Sequence, residues 1–521
     1  MKKTFFWILL IILVSIPAIA ALLPSGFFLT DDGEWMIIRF SSFYQSFADG
    51  QFPVRFLTRL NHEYGYPVAN FLYPGFMYLG IPIHVLGFGF VDTVKIIFSV
   101  SMVVSTIFCY LWLSRFFDKF SSFVGSIFYL YTPYHLFDLY KRGSVGEVLA
   151  LAILPSILWQ MERKNLFLSS IGIAFLIISH NTLAVLFLGL IILYMSLDIY
   201  ISKDKKQTLK KYLLMVMFGL GISAFFWIPA FLELQYTIFS QTQVSNWGNY
   251  FANLNLIGVS TLFVLLLTII FFLTGRIKIS KHRLTVLLLI IGIMSVIFSS
   301  SLSTALWNIF PVSFIQFPFR LLSLAIVSVS FLIACVISVS PKKLKIPIIV
   351  LSLIFLVLSA KPFLTPSEFF DKGEGFYATN MDTTTVKNEY MPKWVKQNPV
   401  ERNVEKVEIV EGIGIVNNIS YDSKKISFNI EARDDIKVRI NTVYYPGWKV
   451  YIDNKESQIY YENEKGVMDI SVLSGNHVVE ASFVETPMRL LSDMISLVSV
   501  FTLLAFILIE SKRKLIGRQK D

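Results

Sequence analysis

Stretches of apolar residues close to membrane-spanning length recur along most of the chain, at 93–114, 121–133, 145–160, 166–179, 182–200, 212–231, 253–274, 284–299, 318–339, 346–360 and 489–510. A hydrocarbon core about 30 Å thick needs about 20 helical residues to cross it. With 55% hydrophobic and only 16% charged residues among 521, there is far more apolar side chain than one soluble core would bury. The chain therefore reads as a polytopic α-helical membrane protein. Together with the apolar N-terminal run, these stretches predict about twelve transmembrane helices. A net charge of +10 raises nucleic acid as a partner, but the cations sit in short clusters between apolar runs, where membrane topology places them. Nucleic acid is excluded on that ground. Cys109 and Cys335 each lie inside an apolar run, so neither a disulfide framework nor a cysteine metal site is expected.

The N-terminal run MKKTFFWILLIILVSIPAIAALLPSG combines a basic start with a small-residue step, as a cleavable signal peptide does. It continues apolar through Leu23, which favours a retained anchor. Every second connection is then basic: Arg115 and Lys119; Arg163 and Lys164; Lys203 to Lys211; Arg276 to Arg283; Lys342, Lys343 and Lys345. With Lys2, Lys3 and the tail Lys512, Arg513, Lys514, Arg518 and Lys520, they define one cytoplasmic face and place both termini there. The alternation holds only if 71–90, broken by Pro74, Gly75, Gly80, Pro82, Gly87 and Gly89, packs as a re-entrant or interfacial hairpin. The localisation implied is the plasma (cytoplasmic) membrane, with several segments crossing it.

The opposite connections carry polar residues that are costly at membrane depth. They contain TDDGEW (30–35), YHLFDLYKRGSVGE (134–147), SHN (179–181), WIPAFLELQY (227–236) and SFIQFPFR (313–320). Carboxylates, a histidine, arginines and aromatics gathered on one side are the pattern of an extracytoplasmic active site. Asp31, Asp32 and Glu34 are the candidate catalytic or metal-binding carboxylates, although Asp31 and Glu34 also fit a helix cap, with the helix running to about Ala48. Lys141 and Arg142 suit a phosphate clamp, or a charged loop balanced by Asp138 and Glu147. His180 also suits a backbone bond at a helix end, and Arg320 also suits snorkelling to the interface. Glu233 ends a helix in the same way.

Residues 1–360 form the transmembrane domain, with a first outer loop at 24–92; 361–487 form an extracytoplasmic region; 488–521 supply the last helix and basic tail. Within 361–487, an irregular linker to about 403 precedes alternating strings such as KISFNIEA, KVRINTVYY, WKVYID and HVVEASFV, which predict a β-sandwich. That domain reads equally as a substrate-binding module and as a lid or spacer. No P-loop, GxGxxG after a strand or HExxH occurs. His62, His84, His135 and His180 are too scattered for a zinc site.

DDGEW, DGQFPVR (49–55), YGYP (64–67), YKRGSVGE, SHN, FWIPA and QFPFR as a set resemble the bacterial and archaeal membrane proteins called 6-pyruvoyl-tetrahydropterin-synthase-related. YYPGWKVYIDNKE (444–456) before a closing helix resembles the YfhO-like proteins, and both groups are similar to the GT-C glycosyltransferase superfamily. The resemblance implies sugar transfer from a polyprenyl-phosphate donor to an envelope glycan, lipid or protein acceptor outside the cytoplasm. It implies Asp32 as general base with Asp31 or Glu34 as helper, or Asp31 and Asp32 as ligands to Mg²⁺ or Mn²⁺. Arg142, with Lys141, Arg55 or Arg320, would hold phosphate, and Glu147, His180, Asn181 and Glu233 would complete substrate binding. Two other classes share the composition: a lipid or polysaccharide transporter, and a noncatalytic envelope-assembly scaffold.

Overall fold

The structure, a computed structural model, describes residues 2–242, 244, 246–309 and 315–518. Ser313, Phe314 and Lys520 lie outside the described residues, as do the side chains of Lys2, Lys3, Lys512, Arg513, Lys514 and Arg518.

Among the described residues, seven helices are long and apolar enough to cross a membrane: Thr4–Leu22, Phe90–Leu113, Val145–Glu162, Asn181–Ile201, Pro318–Val339, Lys342–Phe363 and Pro487–Ile509. The number is nine if Lys205–Ile222 with Ala224–Tyr236, bent by 69°, and Arg283–Ser299 with Ser301–Ile309, bent by 81°, each count as one span. The first bend has a local cause. Ser223 Oγ bonds back to Gly219 O at 2.9 Å, next to glycines that stiffen nothing. The remaining expected spans are helices of 13, 14 and 15 residues, at Lys119–Tyr131, Leu166–Ser179 and Val259–Leu273. At 1.5 Å per residue each reaches only about 20 Å. The broken segment 71–90 folds into the 11-residue helix Gly75–Val85, too short to span.

Burial ranks the helices. Val145–Glu162 and Pro318–Val339 are 83% buried over their apolar windows, whereas Thr4–Leu22, Lys342–Phe363 and Pro487–Ile509 are 17–22% buried. The first pair therefore forms the centre and the others the rim. Lys119 Nζ reaches Thr4 Oγ1 at 3.4 Å, and Lys345 lies 4.0 Å from Asp118, so three of the expected cytoplasmic segments meet at one end. At the other end of Phe90–Leu113, Lys95 Nζ donates to the carbonyls of Pro24 and Gly26 at 2.7 and 3.2 Å.

The first loop is tied to the segment after Ala360 by a two-residue pairing of β1 (Phe27–Phe28) with β2 (Phe369–Phe370). That segment, expected to be irregular, contains the helix Gly373–Thr379 and lies along the first loop as a strap. Arg59 donates to the carbonyls of Ala378 and Asn380, Ser41 Oγ to that of Tyr377, and Glu374 accepts from Phe90 N at 2.8 Å.

Eight further strands follow: β3 (Val407–Glu411), β4 (Gly414–Tyr421), β5 (Lys425–Ala432), β6 (Ile436–Val443), β7 (Trp448–Ile452), β8 (Lys455–Ser457), β9 (Val467–Val472) and β10 (Gly475–Phe483). They make two antiparallel sheets, ordered β4-β5-β10-β7-β8 and β3-β6-β9. Alternation drives the packing. Ile426, Phe428 and Ile430 of β5 and Ile436, Val438 and Ile440 of β6 are buried, while Lys425, Lys437 and Arg439 between them are not.

Candidate active site

The helix Gly33–Ala48 begins directly after the acidic loop, with Asp32 in the N-cap position but making no side-chain cap bond. Thr30 Oγ1 takes that role, accepting from Gly33 N at 3.0 Å. The expected capping box from Asp31 to Glu34 is therefore not formed: Glu34 pairs with Lys372 of the strap, and Asp31 is exposed. Asp32 is free to point elsewhere. Its Oδ2 accepts from Arg142 Nη2 at 2.8 Å, and its side chain keeps 36% exposure against 4% for the arginine.

Arg142 is delivered by a single π turn, Asp138–Arg142, closed by Gly143 at φ +64°. A Cβ on Gly143 would stand 2.6 Å from Thr30 Oγ1 and 2.8 Å from Gly33 Cα, so the close approach of the two loops requires glycine at 143. Backbone bonds lock the contact, from Asp31 N to Lys141 O at 3.0 Å and from Asp32 N to Arg142 O at 2.8 Å. Lys141 itself is exposed at the rim. Further along the same motif, a Cβ on Gly146 would meet the Tyr73 ring at 2.2 Å.

Glu147, in the first turn of Val145–Glu162, is the fully buried hub. It pairs with Arg142, accepts from Arg320 Nε at 2.9 Å and Tyr134 OH at 3.0 Å, and lies 3.5 Å from His180 Nε2. Arg320 is held in turn by Gln316 Oε1 at 2.6 Å and by the carbonyl of Ile315 at 3.1 Å. Both guanidiniums lie on aromatic faces: Arg142 within 5.5 Å of the Phe317 and Phe319 ring centres, and Arg320 4.7 Å from that of Phe317. Burial and the charge of Glu147 push the Asp138 carboxyl well above the ordinary carboxylate range, and it lies 3.7 Å from Arg142 Nη1. His180 Nδ1 accepts from Leu183 N at 3.2 Å, and burial with the two arginines lowers its imidazole to about 3. It is neutral.

Arg39, which the sequence reading passed over, lies within electrostatic reach of Asp32 and Tyr73. It is 3% exposed and makes no ion pair among the described residues; its donors go to Thr384 O at 2.6 Å, Thr384 Oγ1 at 3.3 Å and Met36 Sδ at 3.1 Å. Tyr73 feels Arg39, Asp32, Glu147 and Arg320 together, and burial raises its phenol to about 12. Three guanidiniums, Arg39, Arg142 and Arg320, therefore gather with three carboxylates, Asp32, Asp138 and Glu147.

The other expected site residues go elsewhere. Arg55 is bound by Glu485 at 3.2 Å, Asp493 at 2.9 Å and Phe225 O at 2.6 Å. Glu233 is gripped by Arg489 through two bonds of 2.8 Å, by Tyr445 OH at 2.6 Å and by Asn70 Nδ2 at 2.8 Å. These charges hold the β-sheet region and last helix onto the first loop and the bent helix, apart from the network around Glu147. Gly447 of the YYPGW motif belongs to the same joint, since a Cβ there would stand 2.9 Å from Arg489 Nη1. Asn181 donates to Phe71 O at 2.9 Å and supports the backbone.

Among the described residues, no group of three or more His, Cys, Asp and Glu is arranged to hold a metal ion. Asp31 and Asp32 are the two carboxylates at the expected cation position, and Asp32 is already engaged by Arg142.

No protein-family model matches the chain, and no curated protein matches it. Among solved structures, one that matches is the Archaeoglobus fulgidus oligosaccharyltransferase crystallised with Zn and sulfate, at 15% identity and a TM-score of 0.41. The match covers 74% of this chain and 58% of that one, so the chain spans less than two thirds of its length. Likeness at that level carries no functional argument, and the family resemblance rests on the residue motifs alone.

Proposed function

We propose that this chain is a membrane glycosyltransferase that moves a sugar from a polyprenyl-phosphate donor to an acceptor hydroxyl on the extracytoplasmic face. The observation that carries the reading is a half-exposed carboxylate, Asp32, fixed at the edge of a buried centre in which the Arg39 guanidinium has no ion pair among the described residues. An uncompensated buried cation is costly, and a phosphate-bearing ligand neutralises it.

In this reading Asp32 is the general base. Arg142 fixes one of its oxygens and leaves the other for the acceptor hydroxyl, whose proton it draws as the oxygen attacks the sugar. Arg39, Arg142 and Arg320 face the phosphate, which leaves with the bonding electrons, and their fixed geometry stabilises the developing charge without reorganisation. Glu147 holds two of the three guanidiniums in place. A divalent cation with oxygen ligands would take Asp31 and Asp32, and would supply further neutralisation of the phosphate. The basic ends of Thr4–Leu22 and the connections at Lys119 and Lys345 would face the cytoplasm.

Transfer of radiolabelled sugar from polyprenyl-phosphate donors, with purified wild type and Asp32→Asn, tests the assignment. The substitution is expected to reduce transfer by about 10² to 10⁴ in protein that remains folded, with at most a modest fall in unfolding temperature from the weakened pair with Arg142. Transfer unimpaired in the variant removes Asp32 as base. Loss on EDTA treatment, restored by Mg²⁺ or Mn²⁺, shows that transfer needs a divalent cation, and a raised metal requirement in Asp31→Asn would place it at the acidic loop.

A further inference from the structure

Where the first loop meets the β-sheet region, a cavity of about 610 Å³ opens beside the exposed edges of β3 and β4. A second of about 340 Å³ lies on the far side of Glu408 and Asn441, which line both. The two form one elongated groove, outside the network around Glu147.

At the shared wall, Asn441 is 3% exposed. Its Nδ2 donates to Glu405 O at 2.9 Å and Glu408 Oε1 at 3.1 Å, while its Oδ1 accepts no hydrogen bond from any described residue. A buried amide oxygen left unpaired costs about 1 to 3 kcal/mol, and a ligand hydroxyl removes that cost. Beside it, Lys406 Nζ is held by Glu63 O at 2.7 Å and Asn441 O at 3.1 Å and forms no ion pair among the described residues. Burial lowers its ammonium to about 8. The wall from the first loop is a left-handed turn: Asn61, His62 and Glu63 have φ of 57°, 56° and 64°. Such residues persist only where their surroundings hold them, and here His62 N donates to Met381 O of the strap at 2.9 Å.

Carboxylates, amides, cations and the exposed Tyr421 ring, with the Lys406 ammonium 5.5 Å from its centre, line the two cavities. Sugar hydroxyls, which both donate and accept, match this mixture, and a tyrosine face suits the apolar side of a pyranose. Five cations and five carboxylates line the two cavities together, so the walls carry no excess charge to draw a polyanion and suit a neutral ligand with both polar and apolar faces.

We propose that this groove binds a neutral oligosaccharide, with Asn441 and Tyr421 as its principal contacts. Its identification as the acceptor rests on the transferase reading; the binding itself does not. The same first loop carries Asp32 and forms the groove wall, so a glycan held there is presented by the element that bears the proposed base.

Full-length protein in nanodiscs, probed with immobilised maltotetraose, cellotetraose, chitotetraose and mannotetraose, is the test. Capture of at least one is expected, weakened about tenfold or more by Asn441→Leu, which corresponds to about 1.4 kcal/mol. Tyr421→Ala, on an exposed edge, is expected to act likewise and decides the matter if the first variant unfolds. Asp32→Asn should bind as wild type; binding without any transfer would sink the transferase reading and leave this inference standing. Folded wild type that captures none of the four, or variants that bind unchanged, overturn it, as does capture of an extended peptide in their place.

Discussion

Glu147 concentrates more partners than any other charged side chain in the candidate site, because a carboxylate with no solvent must find its hydrogen bonds and countercharges within the protein. Removing its charge leaves the buried Arg320 without a carboxylate and Arg142 with the half-exposed Asp32 as its closest one. Glu147→Gln is expected to cost about 3 to 5 kcal/mol, seen as a lowered thermal unfolding midpoint in detergent. Asp138, four residues before Arg142, lies farther from the guanidinium, at 3.7 Å, and burial with Glu147 raises its carboxyl, so Asp138→Asn should lower the midpoint less than Glu147→Gln. Arg39→Leu should raise KM for a phosphate donor about tenfold or more with the fold intact, and Arg39→Lys should recover part of it. Asp32, Arg142, Glu147, His180 and Arg320 were legible as polar groups interrupting apolar runs. Arg39 was not, since it sits inside the apolar string MIIRF and reads as part of a helix; a lone charge on that string's buried face was the available signal.

Elements explain the two charges that left the site. A glutamate closing a helix and an arginine after DGQFPV look alike whether they meet substrate or another segment. Only the approach of Pro487–Arg518 and the β-sheet region gives Glu233 and Arg55 their partners. Glu233→Gln leaves Arg489 buried without its countercharge, at about 3 to 5 kcal/mol. Limited proteolysis should cut the β-sheet region faster in this variant, while transfer at a permissive temperature persists; transfer lost with proteolysis unchanged would return Glu233 to the substrate site. The strap after Ala360 was read as irregular because its sequence has no period. Its order comes from bonds to Arg39, Arg59 and Ser41, partners more than 300 residues away.

At the scale of the molecule, charge alternation and helix contacts make the same topological prediction. Cys109 and Cys335 are buried, so a substituted cysteine is the main target for a membrane-impermeant maleimide. Lys455→Cys in β8 should label in intact cells, and Lys281→Cys only after permeabilisation. The reverse pattern would invert the membrane orientation and place Asp32 on the wrong side for a lipid-linked donor outside.

Membrane class, the grouping of basic connections and the strand pattern of the C-terminal region follow from local chemistry: apolar length, charge between runs, and alternation with period two. Tertiary structure alone decided which charges share a site. Asp32 and Arg142 are 110 residues apart, and Arg320 and Glu147 173 apart, and each pair meets only after helices pack. Sequence spacing carries no record of such distances, whereas the cost of an unpaired charge in a dry interior leaves these side chains few other places to go.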